Sequence, residues 1–254
     1  MKEYFKNNIL SSKDYEQALS FTFGTFYIPF LNETKYEYLQ AVYNMNKCEN
    51  PDTLFWPGMP ELILSRFHAV CVRTLIVEMS MYKAAGKLEG GSSSEEYKFF
   101  NEQILVRKEL REELFEVYPL LAENIRRTIS QSAAFLSEMR NRLEADRKEI
   151  EKNILHGRPM GNITGIQDMA SDCHCNGKCV LKIETDQGDT FLYKPRNAKT
   201  EKAFLNLLNY FYEGIQLEGY TYGMVLREEY AWIEWVSPQE CTQPSQTERY
   251  FRRL

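Results

Sequence analysis

Apolar and polar residues follow two different periods along this chain, and the change falls near residue 156. Before it the spacing is helical. The stretch ELILSRFHAVCVRTLIVEMSMYKAAG, 61 to 86, is rich in apolar residues and ends on Gly86, a residue that stops helices. His68 lies inside it and reads as a packed core histidine. KLEGGSSSEEY then marks a surface loop by its Gly and Ser content. A second long helix is predicted from Pro119, since proline suits a first turn. In it Leu121, Ile125, Ile129, Leu136, Met139, Leu143, Ile150 and Ile154 draw one apolar stripe on a helical period, and the charged RLEADRKEIEK is its solvated side.

After HGRPMG, 156 to 161, the period shortens to that of a strand. Cys179, Leu181 and Ile183 alternate with Val180, Lys182 and Glu184, DQGD supplies a turn, and TFLYKP is a second strand stopped by Pro195. TEKAFLNLLNYFY follows as a helix, with Thr200 as its expected N-cap and Phe204, Leu207, Leu208 and Phe211 as its expected buried face. YTYGMVLREEYAWIEWV reads as a second hairpin turning at Arg227 to Glu229. SQTERYFRRL opens on a capping box of Ser245 and Glu248, so a short helix is expected from about residue 246. The prediction is an α+β chain: a helical region over 1–155, then hairpin, helix and hairpin over 156–254.

Composition narrows the function classes. With 254 residues, 43% hydrophobic and 26% charged, the chain can bury a substantial core. A net charge of −5 gives no electrostatic reason to expect nucleic acid as a partner. No apolar run approaches the roughly 20 residues of a membrane span, and the start MKEYFKNNILSSKDYEQ lacks the apolar core of a secretory signal. Six sparse cysteines fit a reducing compartment, and a cytoplasmic location is expected.

The densest chemistry is SDCHCNGKC, which packs Cys173, His174, Cys175 and Cys179 together. Structural zinc sites take a second ligand pair from a distant segment, and in an extended segment His174 would point away from Cys173 and Cys175. Cys179 also belongs to the alternating apolar set, so no zinc is expected here, and Cys48, Cys71 and Cys241 read as packing residues. The other reading uses Asp172 and His174, which can point the same way from a loop entering a strand. Gly177 allows close approach by a ligand, and Lys194 ends the second strand with Arg196 beside it. Kinase N-lobes hold nucleotide phosphates with a strand lysine oriented by a helix carboxylate, and Glu201 is the nearest candidate for that carboxylate.

LEADRKEIEKNI, DCHCNGKCVLKIETDQGDTFLYKPRNAKTEKAFLNLLNYF, YAWIEWVSPQEC and ERYFRRL, in that order, resemble the dehydratase domain of class II lanthipeptide synthetases. The resemblance spans about 135 to 254 and rests on D-x-H-x-x-G, YKPR and ERYFRRL. It implies a kinase-like fold related to lipid kinases, with added N-terminal helices. Such enzymes use ATP and magnesium to phosphorylate Ser and Thr of a precursor peptide, then eliminate phosphate to leave dehydroalanine or dehydrobutyrine; a separate zinc cyclase domain adds cysteine thiols. Carried onto this chain, the resemblance makes Asp172, His174 and Lys194 the catalytic groups. Gly177, Lys194, Arg196 and Glu201 are expected around the nucleotide. Asn176 departs from the family, which often has glycine there. The family's catalytic loop and magnesium carboxylates would follow ERYFRRL, so the chain is expected to be the helical region plus an N-lobe, inactive without a C-lobe from a longer or partner polypeptide. The alternative is a non-catalytic module that binds a precursor peptide or pairs with a synthetase.

Overall fold

A computed structural model describes residues 9–46, 56–169, 176–216, 219, 221–237 and 240–252. Helices α1 (Ser12–Leu19), α2 (Gly24–Asn46), α3 (Met59–Ala84), α4 (Ser93–Phe99), α5 (Lys108–Val117) and α6 (Pro119–Asn153) come first, with a π-helical turn at Phe100–Ile104. Strands β1 (Ile163–Asp168), β2 (Leu181–Thr185) and β3 (Thr190–Lys194) follow, then α7 (Lys199–Gly214), β4 (Met224–Leu226), β5 (Ala231–Glu234) and α8 (Pro244–Arg252). The fold is therefore mixed, helices first and one antiparallel sheet after them, as the two periods predict.

The long helix α6 is the spine. Its 35 residues run roughly 50 Å. Leu121, Ile125, Ile129, Leu136, Met139, Leu143 and Ile150 are all buried along it, so the predicted stripe is the one that packs. The sheet order is β1-β2-β3-β5-β4. One sheet face carries Leu181, Ile183, Phe191, Tyr193, Val225 and Trp232, all buried in the same apolar cluster as residues of α2, α3 and α6. Helices and sheet thus share one continuous core. At its edge Gly58, with φ +89°, lets the start of α3 lie against β1; a Cβ there would stand 2.2 Å from the Ile166 carbonyl oxygen.

Four sequence expectations need correction. The face of α7 expected to be buried is open: Phe204, Leu207 and Phe211 are each at least half exposed, and Leu205 is the residue of α7 that is buried. The 3.6-residue period marks an apolar stripe without supplying anything to cover it. Thr200 does not cap α7, whose N-cap position is Ala198; just before it Asn197 accepts from the Lys199 amide at 2.7 Å while donating to the Glu228 carbonyl at 3.0 Å. Ser245 lies inside α8, which starts at Pro244, and Gln246 reaches back to accept from the Thr242 and Gln243 amides. Cys241 is exposed, not packed, whereas Cys71 and Cys179 are buried.

Candidate functional site

Backbone register brings three connections to one end of the sheet. Asp168 pairs with Leu181, Leu181 with Tyr193, and Tyr193 with Trp232. The β1–β2 loop, the β3–α7 link and the β4–β5 turn therefore all emerge beside Lys194, while the DQGD turn lies at the far end. The Met169 amide donates to the Val180 carbonyl at 3.1 Å and closes the base of the β1–β2 loop.

Lys194 ends β3 on the face opposite the helical core. Its Nζ donates to Glu201 Oε2 at 2.6 Å, and the Arg196 guanidinium meets Glu201 Oε1 at 3.2 Å. One carboxylate in the first turn of α7 thus orients two cations, at the end of the helix that favours negative charge. The lysine side chain is 18% exposed, so most of it is covered.

Directly opposed strand residues share a face. On the Lys194 face the register therefore aligns Leu192 with Ile233, Lys194 with Ala231, and Met224 and Leu226 with those partners. Ala198, Ala231 and Ile233 form a small apolar cluster there, edged by Leu192, Tyr222, Met224 and Leu226. The Lys194–Glu201 pair thus stands beside a closed apolar cluster that anchors the start of α7 to the sheet.

The other sheet face is pinned to α6 by polar groups. Asp146, buried on α6, accepts from Trp232 Nε1 at 2.9 Å and from Arg227 Nε and Nη2 at 3.1 and 2.6 Å. Arg142 Nη1 donates to the Tyr193 hydroxyl at 2.7 Å and stacks on Tyr230. Burial pushes the Tyr193 phenol up to about 12, with Arg142 pulling the other way. These bonds fix β3, which carries Lys194, and its neighbour β5 against the long helix.

Of the residues expected at the site, Lys194, Arg196 and Glu201 come together. Asp172 and His174, with Cys173 and Cys175, lie outside the described residues. Gly177 is described, and it is left-handed at φ +79°, directly after left-handed Asn176 at φ +67°. Its carbonyl accepts from Arg66 Nη2 at 2.7 Å, and Lys178 pairs with Glu138 at 2.6 Å. Sequence reasoning missed Arg66 and Glu138; the one local signal was an arginine set in the apolar run LILSRFHAV. Among the described residues no group of three His, Cys, Asp or Glu side chains could hold a metal, and no helix is long and apolar enough to cross a membrane.

A family model described as a domain of unknown function, DUF4135, matches residues 118–254, more than half of the chain. No curated protein matches it.

Proposed function

The chain belongs to the DUF4135 family, which is associated with lanthipeptide synthetases, and from that premise we propose that it supplies the nucleotide-holding sheet of a lanthipeptide dehydratase. The observation that carries this reading is the Lys194–Glu201 pair at 2.6 Å, joining the third strand to the helix that follows it. Kinases place their phosphate-binding lysine and its orienting glutamate in those two elements, with a loop between the first two strands covering the phosphates. In this chain the β1–β2 connection leaves from the same end of the sheet.

In this reading Lys194 sets a fixed positive charge against phosphate oxygens, and Glu201 holds its ammonium in place. A Ser or Thr hydroxyl of the precursor attacks the γ-phosphorus; the new O–P bond forms as the bond to ADP breaks, and the hydroxyl proton passes to a base. Elimination then removes the α-proton, forms the carbon–carbon double bond and expels phosphate with the electrons of the broken C–O bond. Asp172 and His174, between β1 and β2 in the sequence, are the groups proposed to handle these protons. In this reading the sheet's part is to hold and orient the nucleotide, and the catalytic loop and magnesium carboxylates are those of the family's C-lobe.

Calorimetric titration with MgATP tests the proposal directly. The wild-type chain is expected to bind, and Lys194→Ala to weaken binding by about tenfold or more, the worth of one charge-assisted contact. Adding the complementary C-lobe, ATP, magnesium and a precursor peptide should then give loss of water from the peptide by mass spectrometry. A folded, reconstituted pair that neither binds ATP nor dehydrates the peptide rules the reading out. A second reading, a non-catalytic module for a precursor peptide or a synthetase, draws on the open apolar stripe of α7 and on exposed Tyr250 and Phe251 of α8. Precursor binding that is indifferent to ATP and to Lys194→Ala would favour it.

A further inference from the structure

Helix α7 is held at its start and little beyond. Leu205 is its buried side chain among the described residues, and the side carrying Phe204, Leu207 and Phe211 is open. At the start, Ala198 is buried against Ala231 and Ile233 of β5. Asn197 beside it bonds in two directions. Its Oδ1 accepts from the Lys199 amide at 2.7 Å, and its Nδ2 donates to the Glu228 carbonyl, in the β4–β5 turn, at 3.0 Å. Lys199 Nζ also donates to Glu228 Oε1 at 2.5 Å. The turn is itself anchored. The Arg227 amide donates to the Tyr230 carbonyl across it, and the Arg227 guanidinium reaches Asp146 on α6. Arg142, also on α6, donates to Glu229 at 3.1 Å and stacks on Tyr230.

We propose that Asn197 is a positioning residue for the Lys194–Glu201 pair, setting the start of α7 against the β4–β5 turn. The apolar contacts of Ala198 and Leu205 are non-directional and leave a lightly packed helix free to pivot. Hydrogen bonds fix direction as well as distance. Glu201 lies in the first turn beyond Asn197, so the place of that turn decides whether its carboxylate stands 2.6 Å from Lys194 and 3.2 Å from Arg196. Through Asn197 the anchored β4–β5 turn, and α6 behind it, set the geometry of the pair. The nucleotide reading above enters only in what the pair then does, which is to hold a cation ready for phosphate oxygens. An amide side chain suits the task because it donates and accepts at once; a carboxylate in its place keeps the bond from the Lys199 amide and loses the one to Glu228.

The test acetylates the folded, nucleotide-free chain with a trace of acetic anhydride and reads Lys194 by mass spectrometry against exposed Lys148 on α6. Glu201→Ala, which removes the pair, sets the upper limit. Asn197→Ala should raise Lys194 labelling toward that limit by about threefold, the worth of a partly exposed ion pair. Asn197→Asp should do nearly the same. Glu228→Ala keeps the carbonyl and loses only an exposed ion pair, so Lys194 labelling should not change. In calorimetric titration with MgATP, both Asn197 variants should bind about fivefold more weakly than wild type, the scale of one hydrogen bond. Full recovery by Asn197→Asp would make Asn197 a cap of the helix start and overturn the proposal. A lower urea midpoint for Asn197→Ala with Lys194 labelling unchanged is the mark of a merely structural role and overturns it as well. Failure of the wild-type chain to bind MgATP removes the nucleotide reading, while the labelling, measured without nucleotide, still decides whether Asn197 sets the pair.

Discussion

Replacing Asp146 with alanine separates two kinds of polar contact between α6 and the sheet. Asp146 is 3% exposed and accepts from the Trp232 indole and from two nitrogens of Arg227. The Trp232 indole N–H lies on a fully buried ring, so without Asp146 it has no route to water; an orphaned buried donor costs about 1–3 kcal/mol. Arg227 is different. Its side chain is 32% exposed and keeps its pair with Glu149, so its share is that of a surface pair, about 1 kcal/mol or less. The sum is a loss of about 1–4 kcal/mol, dominated by the indole. Urea unfolding followed by circular dichroism should show this as a lower midpoint at unchanged slope. In a Trp232→Phe background, where the indole donor is gone, Asp146→Ala should cost about 1–2 kcal/mol less. A loss below about 1 kcal/mol, or additive effects in the cycle, would refute the assignment of the indole as the main term.

Three further outcomes follow from the packing. Gly58→Ala combines a left-handed backbone with a Cβ 2.2 Å from the Ile166 carbonyl oxygen, and should lower stability by more than about 2 kcal/mol in the same urea assay. On α7, Leu205→Ala should cost about 2 kcal/mol, whereas Phe211→Ser, at a side 57% exposed, should change stability by less than about 0.5 kcal/mol; equal losses would mean the stripe is covered in solution. At high pH, Tyr38 and Tyr193 have folded pKa values pushed up to about 12, chiefly by burial, against about 10 in the unfolded chain. The unfolded state then binds fewer protons between those values, so their contribution is intact below about pH 10 and is lost as the pH rises toward 12. Urea midpoints should fall over that window, and less so for Tyr193→Phe.

What could be read along the chain was whatever depended on neighbours in sequence. The α6 stripe and the β2–β3 hairpin with its DQGD turn came out as expected, because helical and strand periods are local properties. So did the nearness of Lys194 to Glu201, which are joined by a strand end and one helical turn. Strand β1 was not foreseen. It carries Gly165 next to a break in register, is mostly polar, and is made a strand by pairing with β2 across a long connection. The helix α7 starts ahead of Thr200, with its N-cap at Ala198, where Asn197 holds the Lys199 amide and also reaches Glu228, about thirty residues on and brought near only by the β4–β5 turn. The stripe on α7 shows the same limit: amphipathicity states that a helix has an apolar face, and only the packed fold decides whether that face is covered. Arg66 and Gly177 stand 111 residues apart in sequence and 2.7 Å apart in space. No local pattern encodes that contact, since it exists only where α3, α6 and the sheet close on one core.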